Sequence, residues 1–577
     1  MKPVDEAAAR ATVRCWCVYE LVDRAMAAWY EPEALHLGKL ALAVYVGAVP
    51  RLSTLGLMLA VRLGDTFCRI PFIWDCDHWG LQMDAGILFL CVFIALSRFL
   101  CRKDGASGSP DAVEAALVRA WSYTLRMQLV CFYLAAGFWK LNSSFLDHRT
   151  SCAPMFVLLL LSNLGITLPG EVMPAIAKTS AYVTVVGEMC IAIFLASNRD
   201  RVRRLGVALA IVLHAGIALT PPPNNAVPFS VVCAVRLMMT MPLGLRKLAN
   251  EMGRFDARAA LTAAMATAVA AVCTGIAYRR ALRHPPPGSN AEVPFWVTTY
   301  FVLAVYAIRL LMLGTCINTN ATGGDTDSSV YTTPSSSVFR IVHVLSVLFS
   351  ATYAFLFIPL GLQDHGTPNM YSNLRIHGGS NHYLVRQVDL LRFLLPEEAA
   401  RRTFSVVRVE KCSSEWINTI YPGDLTMTMS PDERALLASV NHTARMFNPM
   451  KLRVLGASVL PSSPSGVRTK YSLTALELRR VLAEARERGE AFQMTYTVLE
   501  GFTGDEQWRS KSSGRTIHLR EDGIGGRECF AEDDVACTGD EFANLPPPSF
   551  LIRKWLVQQP YPILEGVELS EVTCFGP

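Results

Sequence analysis

Long apolar runs dominate the first 361 residues of the chain and then stop. Each run has roughly 17–25 residues, the length that a helix needs to cross the hydrocarbon core of a bilayer. A weaker, amphipathic run near residues 11–30 is predicted to span the bilayer or to lie in its interface. We therefore predict a mainly α, polytopic membrane helix bundle with about ten spans. The predicted spans lie near residues 38–62, 81–101, 119–140, 152–168, 176–197, 204–220, 226–243, 259–278, 294–315 and 339–361.

From Leu362 onward the pattern changes to short stretches in which apolar and polar residues alternate. The stretches at 403–412, 451–460 and 491–500 are rich in β-branched and aromatic residues, so each is predicted to be a strand.

A helix is also predicted in this part of the chain. Thr474 and Glu477 form a capping box at its start, and Gly489 supplies the stop signal. Strands and a helix together predict a separate α+β domain. The chain is therefore divided into a transmembrane domain, 1–361, and a soluble domain, 362–577.

Composition and charge support a membrane protein. Hydrophobic residues make up 51% of the chain and charged residues only 18%. The formal net charge of +5 is small for 577 residues and argues against a nucleic-acid partner. The predicted partner of the first domain is the lipid bilayer.

Loop charges predict the orientation of the bundle. The loops 198–204 and 244–258 are rich in Arg and Lys, as expected on the cytoplasmic side. Three predicted spans follow residue 258, which places the C-terminal domain in the lumen of the endoplasmic reticulum or another endomembrane. The basic loop 278–288 departs from this rule.

The sixteen cysteines are scattered rather than arranged in CxxC pairs, and no metal site is predicted. Cys412, Cys529, Cys537 and Cys574 lie in the soluble domain, where a lumenal location would allow them to form disulfides.

Three sequons for N-glycosylation occur, at Asn142, Asn320 and Asn441. Only Asn441 is lumenal in the predicted orientation.

Polar residues follow one face of the predicted span 119–140. Arg126, Tyr133 and Lys140 are seven residues apart, so each side chain returns to within about 20° of the previous direction. Gly137 lies on the same face and would permit close approach of another helix or a flat ligand. One polar stripe that faces the interior of the bundle is therefore predicted.

Other ionisable residues in apolar segments are candidate functional residues, because charge at membrane depth is costly. They are His78, Glu188, His214 and Arg236. A structural interhelical hydrogen bond is the alternative for His214 and Glu188, and a contact with a phosphate headgroup is the alternative for Arg236.

A polar segment, 364–387, follows the last predicted span. His377 and His382 are five residues apart without a third ligand, so a metal site is not predicted there. We expect this segment to fold over the membrane cavity.

Four of these segments resemble the vitamin K-dependent γ-glutamyl carboxylases and the wider HTTM family of membrane proteins. "LRMQLVCFYLAAGFWKLNSSFL" (125–146) is similar to the family's signature helix, with its Arg, Tyr, Ala-Gly and Lys-Leu. "DCDHWGLQMDAGILFL" (75–90), "LHAGIALTPPPNNAVPF" (213–229) and "MYSNLRIHGGSNHYLV" (370–385) resemble further family segments. The similarity covers residues 10–390.

The resemblance implies an enzyme that couples oxygenation of reduced vitamin K, or a related lipidic quinol, to carboxylation of glutamate in a protein substrate. O2 and CO2 are the implied co-substrates. Lys140 would be the base that deprotonates the quinol, because a desolvated lysine is more readily neutral. The implied catalytic residues are Lys140, His214 and His78, and the implied ligand-binding residues are Arg126, Tyr133, Gly137, Glu188, Arg236, His377 and His382.

The chain also departs from the family. It has Trp139-Lys140 where carboxylases have Lys-Lys, and its loop 98–111 lacks the histidine that the family associates with CO2 addition. The resemblance therefore implies quinol oxygenation more directly than carboxylation.

Two alternatives remain open. One is an HTTM protein that performs a different reaction on a quinone or lipid. The other is a non-catalytic membrane subunit or a transporter. Pairing of Lys140 with Glu188 would favour a subunit, because a satisfied ion pair is not a free base.

Overall fold

The computed structural model describes most of the 577-residue chain. The described residues are 4–30, 34–70, 75–101, 110–220, 226–253, 257–283, 292–315, 337–362, 367–376, 380–385, 390, 393–414, 416–417, 423–424, 429–443, 446–448, 470–499, 514–531, 535–537, 542–555, 561–563 and 574–575.

Helices form the first part of the chain, as the apolar runs predict. They pack around one large apolar core, which extends from α1 to α14. The helices are α1 Val4–Tyr30, α2 Ala34–Ala48, α3 Leu52–Arg69, α4 Asp75–Cys101, α5 Pro110–Trp139, α6 Ser143–Leu146, α7 Cys152–Asn163, α8 Val172–Ala196, α9 Asp200–Leu219, α10 Val227–Met239, α11 Pro242–Gly253, α12 Ala257–Arg283, α13 Glu292–Thr315 and α14 Ser337–Phe355.

Four helices in the described part of the chain are long and apolar enough to cross a membrane. They are α8, α9, the stretch Ala257–Ile276 of α12 and the stretch Pro294–Leu313 of α13. The bent pair α10 and α11 makes a fifth candidate if it is counted as one span. The structure is thus consistent with a membrane protein, but the expectation of about ten spans is not supported.

Local features of the chain explain why fewer candidate spans are found than predicted. Pro50 lies inside the predicted span 38–62, where the chain breaks into α2 and α3, because proline has no backbone N–H for a continuous helix. The predicted span 152–168 forms α7, which has only 12 residues. Charged residues also make α3 a poor span, since it contains Arg62, Asp65 and Arg69.

Helix α5 packs along α8 on one side and α14 on another. A side-chain methyl group at Gly137 of α5 would lie 2.9 Å from Met189 Cγ and 3.2 Å from the carbonyl oxygen of Val185, both on α8. The absence of a side chain at Gly137 therefore allows this approach. At the end of α5, the Trp139 Nε1–H donates to the carbonyl oxygen of Ala354 on α14, at 2.7 Å.

The part of the chain after α14, predicted to be soluble, contains a six-stranded antiparallel sheet with the order β7-β6-β5-β1-β4-β8. A second, three-stranded sheet has the order β2-β3-β9, with β3 and β9 parallel. The strands are β1 Val406–Cys412, β2 Gly423–Asp424, β3 Met446–Asn448, β4 Lys470–Thr474, β5 Ala491–Leu499, β6 Gly514–Asp522, β7 Arg527–Ala531, β8 Tyr561–Ile563 and β9 Cys574–Phe575.

Among the described residues, four helices accompany the sheets, and α17 contributes to the core of the larger one. They are α15 Glu397–Phe404, α16 Pro431–Ala438, α17 Ala475–Glu487 and α18 Phe550–Trp555.

Local sequence signals in the soluble domain agree with the structure. The strands predicted within 403–412 and 491–500 form β1 and β5, whereas the strand predicted at 451–460 lies outside the described residues. The Thr474 side chain accepts a hydrogen bond from the Glu477 N–H and caps α17. Gly489 ends this segment with a φ of +67°.

Helix α16 and the residues that follow it connect the C-terminal part of the chain to the helical bundle. Helix α16 packs on α7. The backbone N–H of Thr443 donates to the Arg149 carbonyl oxygen at 2.8 Å, and His442 Nε2 lies 2.8 Å from the Ser151 carbonyl oxygen. The domain boundary at 361/362 stays a prediction.

We predict that Gly137→Ala lowers the free energy of unfolding by about 1–3 kcal/mol, because the added methyl group overpacks the contact between α5 and α8. The measurement is the thermal unfolding midpoint of the purified protein in detergent. Gly187→Ala on α8 is the matched control, since nothing lies within 4 Å of its added methyl group. Equal midpoints for the two variants would contradict the close approach.

Candidate functional site

Lys140 follows the last residue of α5 and is buried, with 6% of its surface exposed. Its ammonium nitrogen lies 3.0 and 2.9 Å from the two carboxylate oxygens of Glu188 on α8. It also donates to the Ala136 carbonyl oxygen at 3.3 Å. An ammonium group has three N–H donors, and three acceptor atoms surround it. The geometry is therefore that of a charged lysine in a satisfied ion pair.

Tyr133 lies two turns earlier on α5. Its hydroxyl is 2.8 Å from His214 Nε2 on α9. His214 Nδ1 is 3.4 Å from the hydroxyl of Ser230, which itself donates to the Ala226 carbonyl oxygen at 3.3 Å. Because Ser230 has a single O–H, it accepts from His214 Nδ1–H, and His214 Nε2 then accepts from Tyr133. These contacts form a directed chain across α5, α9 and α10.

Both polar pairs border one largely apolar cavity of about 190 Å³ between α5, α7, α8, α9 and α10. Most of the wall consists of aliphatic and aromatic side chains, so few polar groups face the space. The lining residues are Phe132, Tyr133, Ala136, Lys140, Phe145, Cys152, Ala153, Phe156, Val157, Leu160, Thr184, Glu188, Leu213, His214, Gly216, Ile217, Thr220, Ala226, Phe229, Pro368, Met370 and Tyr371.

The segment after α14 closes part of this cavity, as expected for the polar segment 364–387. Pro368, Met370 and Tyr371 contribute to the wall. Tyr371 has a φ of +53°, a conformation that costs energy for a non-glycine residue, and its ring meets Phe156 edge-on with 4.8 Å between centroids. The surrounding structure holds this strained residue against the cavity.

Asparagines satisfy the backbone where α5 ends and α7 begins. The Asn142 side chain donates to the carbonyl oxygens of Trp139 and Ser372, at 2.9 and 2.7 Å. Asn373 accepts from the Cys152 N–H at 3.1 Å and donates to the Thr150 carbonyl oxygen at 2.8 Å. When a helix end is buried, its unpaired backbone N–H and C=O groups need hydrogen-bond partners. These two amide side chains provide such partners and so stabilise the turn in which Lys140 lies.

His382 supports the same turn. Its Nε2 lies 2.9 Å from the Phe138 carbonyl oxygen, and its Nδ1 accepts from the backbone N–H groups of Leu384 and Val385 at 3.2 and 3.1 Å. This is the pattern of a neutral imidazole protonated on Nε2. His382 thus positions the end of α5 and does not line the cavity, while His377 lies outside the described residues.

The predicted stripe on α5 divides into different environments. Tyr133 and Lys140 line the cavity, and Gly137 faces α8. Arg126 lies outside the cavity wall, with its guanidinium over the Tyr123 ring at 4.8 Å. Seven-residue spacing therefore placed two of these residues together at the cavity.

Arg236 and His78 belong to another part of the bundle. Arg236 forms an ion pair with Asp84 of α4 at 2.6 Å, in a network that also contains Arg62 and Glu20. His78 is buried on α4. Neither residue lines the cavity. Of the four ionisable candidates outside α5, Glu188 and His214 thus line the cavity, whereas Arg236 and His78 do not.

Sequence reasoning missed Ser230, which contacts His214, Tyr371, which lines the cavity, and Asp84, which pairs with Arg236. Ser230 is a polar residue within the apolar run 226–243, and Asp84 is the one acidic residue of the run 81–101. Those isolated polar positions were the available signal. Tyr371 has no such signal, because its φ and its place at the cavity depend on the folded chain.

No group of three or more His, Cys, Asp or Glu side chains within the described ranges is arranged to hold a metal ion. Three cysteines in the described part of the chain are oxidised. Cys529 and Cys537 form a disulfide at the end of β7, and Cys152 is also disulfide-bonded.

We predict that acidification lowers the local stability of residues 380–385. Burial lowers the pKa of His382 below its ordinary value of about 6.5. The stability that neutral His382 contributes is therefore present above about pH 6.5 and is lost as the pH falls through its folded-state pKa. Hydrogen exchange of the Leu384 and Val385 amides, corrected for intrinsic rates, should accelerate between pH 7.5 and pH 5.

His382→Gln is the control for this measurement, because glutamine does not titrate. The variant should exchange at these two amides with little dependence on pH. A pH response equal to that of the wild type would assign the effect to another group.

The family described as a domain of unknown function (DUF8388) matches residues 380–554, which is less than a third of the chain. The match covers five of the six strands of the larger sheet, all but β8, and none of the cavity helices. Comparison with curated proteins gives no match, and neither does comparison with solved structures.

Proposed function

We propose that this chain is a multi-pass membrane enzyme that binds the head of a lipidic quinol in the cavity between α5, α7, α8, α9 and α10. By its resemblance to γ-glutamyl carboxylases, it would couple quinol oxygenation to carboxylation of glutamate in a protein substrate. The observation that carries the proposal is the presence of two hydrogen-bonded pairs of ionisable side chains, Lys140–Glu188 and Tyr133–His214, in one largely apolar cavity.

The cavity fits a head group better than a whole lipid. Its volume of about 190 Å³ is below the range of about 300–1,000 Å³ that is usual for drug-sized ligands. An aromatic head would contact the walls made by Phe132, Phe156 and Phe229. A long apolar tail would have to leave between the helices toward lipid.

The ion pair changes the role expected for Lys140. The three N–H groups of Lys140 already donate to Glu188 and Ala136, so in this arrangement the positive charge of its ammonium, and not a free N–H, can stabilise an oxyanion. The Glu188 carboxylate, 2.9 Å away, can accept a proton from a ligand hydroxyl or from Lys140 itself. Lys140 therefore acts as a base only after its proton has moved to Glu188.

The other polar pair orients the ligand. A bound quinol would supply an acidic hydroxyl and, with O2, the strong base that carboxylation of glutamate requires. Tyr133 donates to His214, whose second nitrogen donates to Ser230, so the Tyr133 hydroxyl is fixed in direction. Its oxygen can accept a hydrogen bond from a ligand hydroxyl. Apolar side chains form most of the wall around this exchange, which would keep water away from it.

The satisfied Lys140–Glu188 pair also supports a second function, that of a non-catalytic membrane subunit. A buried ion pair can join α5 to α8 without taking part in a reaction. In that case the cavity would hold only the head group of a structural lipid. An HTTM protein with another quinone or lipid reaction would use the same cavity.

We further propose an endomembrane location, such as the endoplasmic reticulum, with the soluble domain in the lumen. The disulfide-bonded cysteines, Cys529, Cys537 and Cys152, support this orientation, because disulfides persist in oxidising compartments. A lumenal soluble domain could meet a secreted protein substrate.

The proposal predicts that membranes with wild-type protein convert reduced vitamin K to its epoxide and fix labelled CO2 into a glutamyl peptide. Glu188→Gln and Lys140→Met should each reduce both rates by about 10²–10⁴-fold, the range for loss of a proton-transferring group. Lys178→Met is the matched control, since Lys178 is an exposed lysine on α8 and should retain full activity.

Epoxidation without CO2 fixation would support a quinol oxygenase, in agreement with the missing histidine of loop 98–111. Absence of both activities in folded wild-type protein would contradict the enzyme proposal and favour the subunit.

A further inference from the structure

Asn441 lies in the turn that ends α16, three residues after Ala438. Asn441 has a φ of +59°. Its N–H donates to the Ala438 carbonyl oxygen, and the N–H of His442 donates to the Leu437 carbonyl oxygen, both at 3.0 Å. These two bonds form a Schellman motif, which explains an asparagine backbone in the left-handed conformation. The motif does not require the side-chain amide, and Asn441 is exposed.

Asn441 also begins the sequon Asn441-His442-Thr443. The sequon at Asn142 differs from it in the folded protein. Asn142 is fully buried, and its amide group holds the turn after α5 through Trp139, Ser372 and Phe145. The sequon at Asn320 lies outside the described residues.

Neighbouring contacts indicate which compartment Asn441 faces. Thr443 is hydrogen-bonded to Arg149, three residues before the disulfide-bonded Cys152. The Cys529–Cys537 disulfide lies in the same soluble domain. Oxidised cysteines in both parts support an oxidising compartment for this region.

Loop charge gives independent support. The Arg-rich segment 199–204 lies at the start of α9, whereas Thr220, at its other end, lines the cavity together with Cys152. Helix α9 has 20 residues, so about 30 Å separates its two ends. Basic residues favour the cytoplasm, which leaves the end near Thr220 on the non-cytoplasmic side.

We propose that Asn441 carries an N-linked glycan on the non-cytoplasmic face of the soluble domain. The donor is a lipid-linked oligosaccharide pyrophosphate. A bond forms between the Asn441 side-chain nitrogen and the anomeric carbon of the first sugar, while the bond from that carbon to the pyrophosphate oxygen breaks. The lipid pyrophosphate leaves with the electron pair, the amide loses one proton, and no atom is oxidised or reduced.

The test is full-length protein expressed in cells whose secretory pathway performs N-glycosylation. Treatment of the wild type with a glycosidase that removes N-glycans should increase its gel mobility. Asn441→Gln should migrate like the deglycosylated wild type and should not respond to the enzyme. Thr443→Ala should behave like Asn441→Gln, because it destroys the sequon while keeping the asparagine.

Two matched controls separate loss of the sequon from other effects. Thr443→Ser keeps the sequon and should retain the mobility shift, while Asn320→Gln should leave it unchanged. A wild type that does not respond to the glycosidase would overturn the proposal. A shift that survives Asn441→Gln and disappears in Asn320→Gln would also overturn it.

This test is independent of the proposed reaction. A glycosylated protein without quinol activity would contradict only the enzyme, and an active protein without a glycan would contradict only the modification.

Discussion

The buried pair between Lys140 and Glu188 is the constraint on which the site depends. A charge buried among apolar helices is costly unless its partner is close and its hydrogen bonds are satisfied. The pair therefore fixes where the end of α5 meets α8, and Gly137 removes the side chain that would keep the two helices apart. With this contact in place, the cavity beside it has two charged groups at one wall and apolar side chains elsewhere.

Lys140 reaches the cavity because the chain leaves the helix at the end of α5 and forms a buried polar turn before α7. Asn142 and Asn373 hold this turn, together with His382, and they connect it to the segment that follows α14. The same segment brings the strained Tyr371 to the cavity. Parts of the chain more than 200 residues apart are thus required to build one site.

The sequence was sufficient where the signal is local. Helices α8 and α9 follow from apolar runs, and seven-residue spacing brought Tyr133 and Lys140 to one cavity, because helical periodicity determines both. The sequence was insufficient where two interacting side chains are far apart along the chain. Arg236 pairs with Asp84, 152 positions away, and no periodicity encodes that choice. The overcount of spans came from hydropathy alone, although Pro50 marked one of the breaks.

The most direct measurement compares the unfolding temperature of purified wild-type protein with that of the exchanged pair Lys140→Glu/Glu188→Lys, each with and without a vitamin K quinone. Lys140→Glu alone or Glu188→Lys alone should lower the free energy of unfolding by about 3–5 kcal/mol. The double exchange should recover most of this loss, because opposite charges again face each other. We expect the quinone to raise the unfolding temperature of the wild type only, since bound ligand stabilises the folded state. An equal rise in both proteins, or no rise in the wild type, would contradict a quinol site at this ion pair.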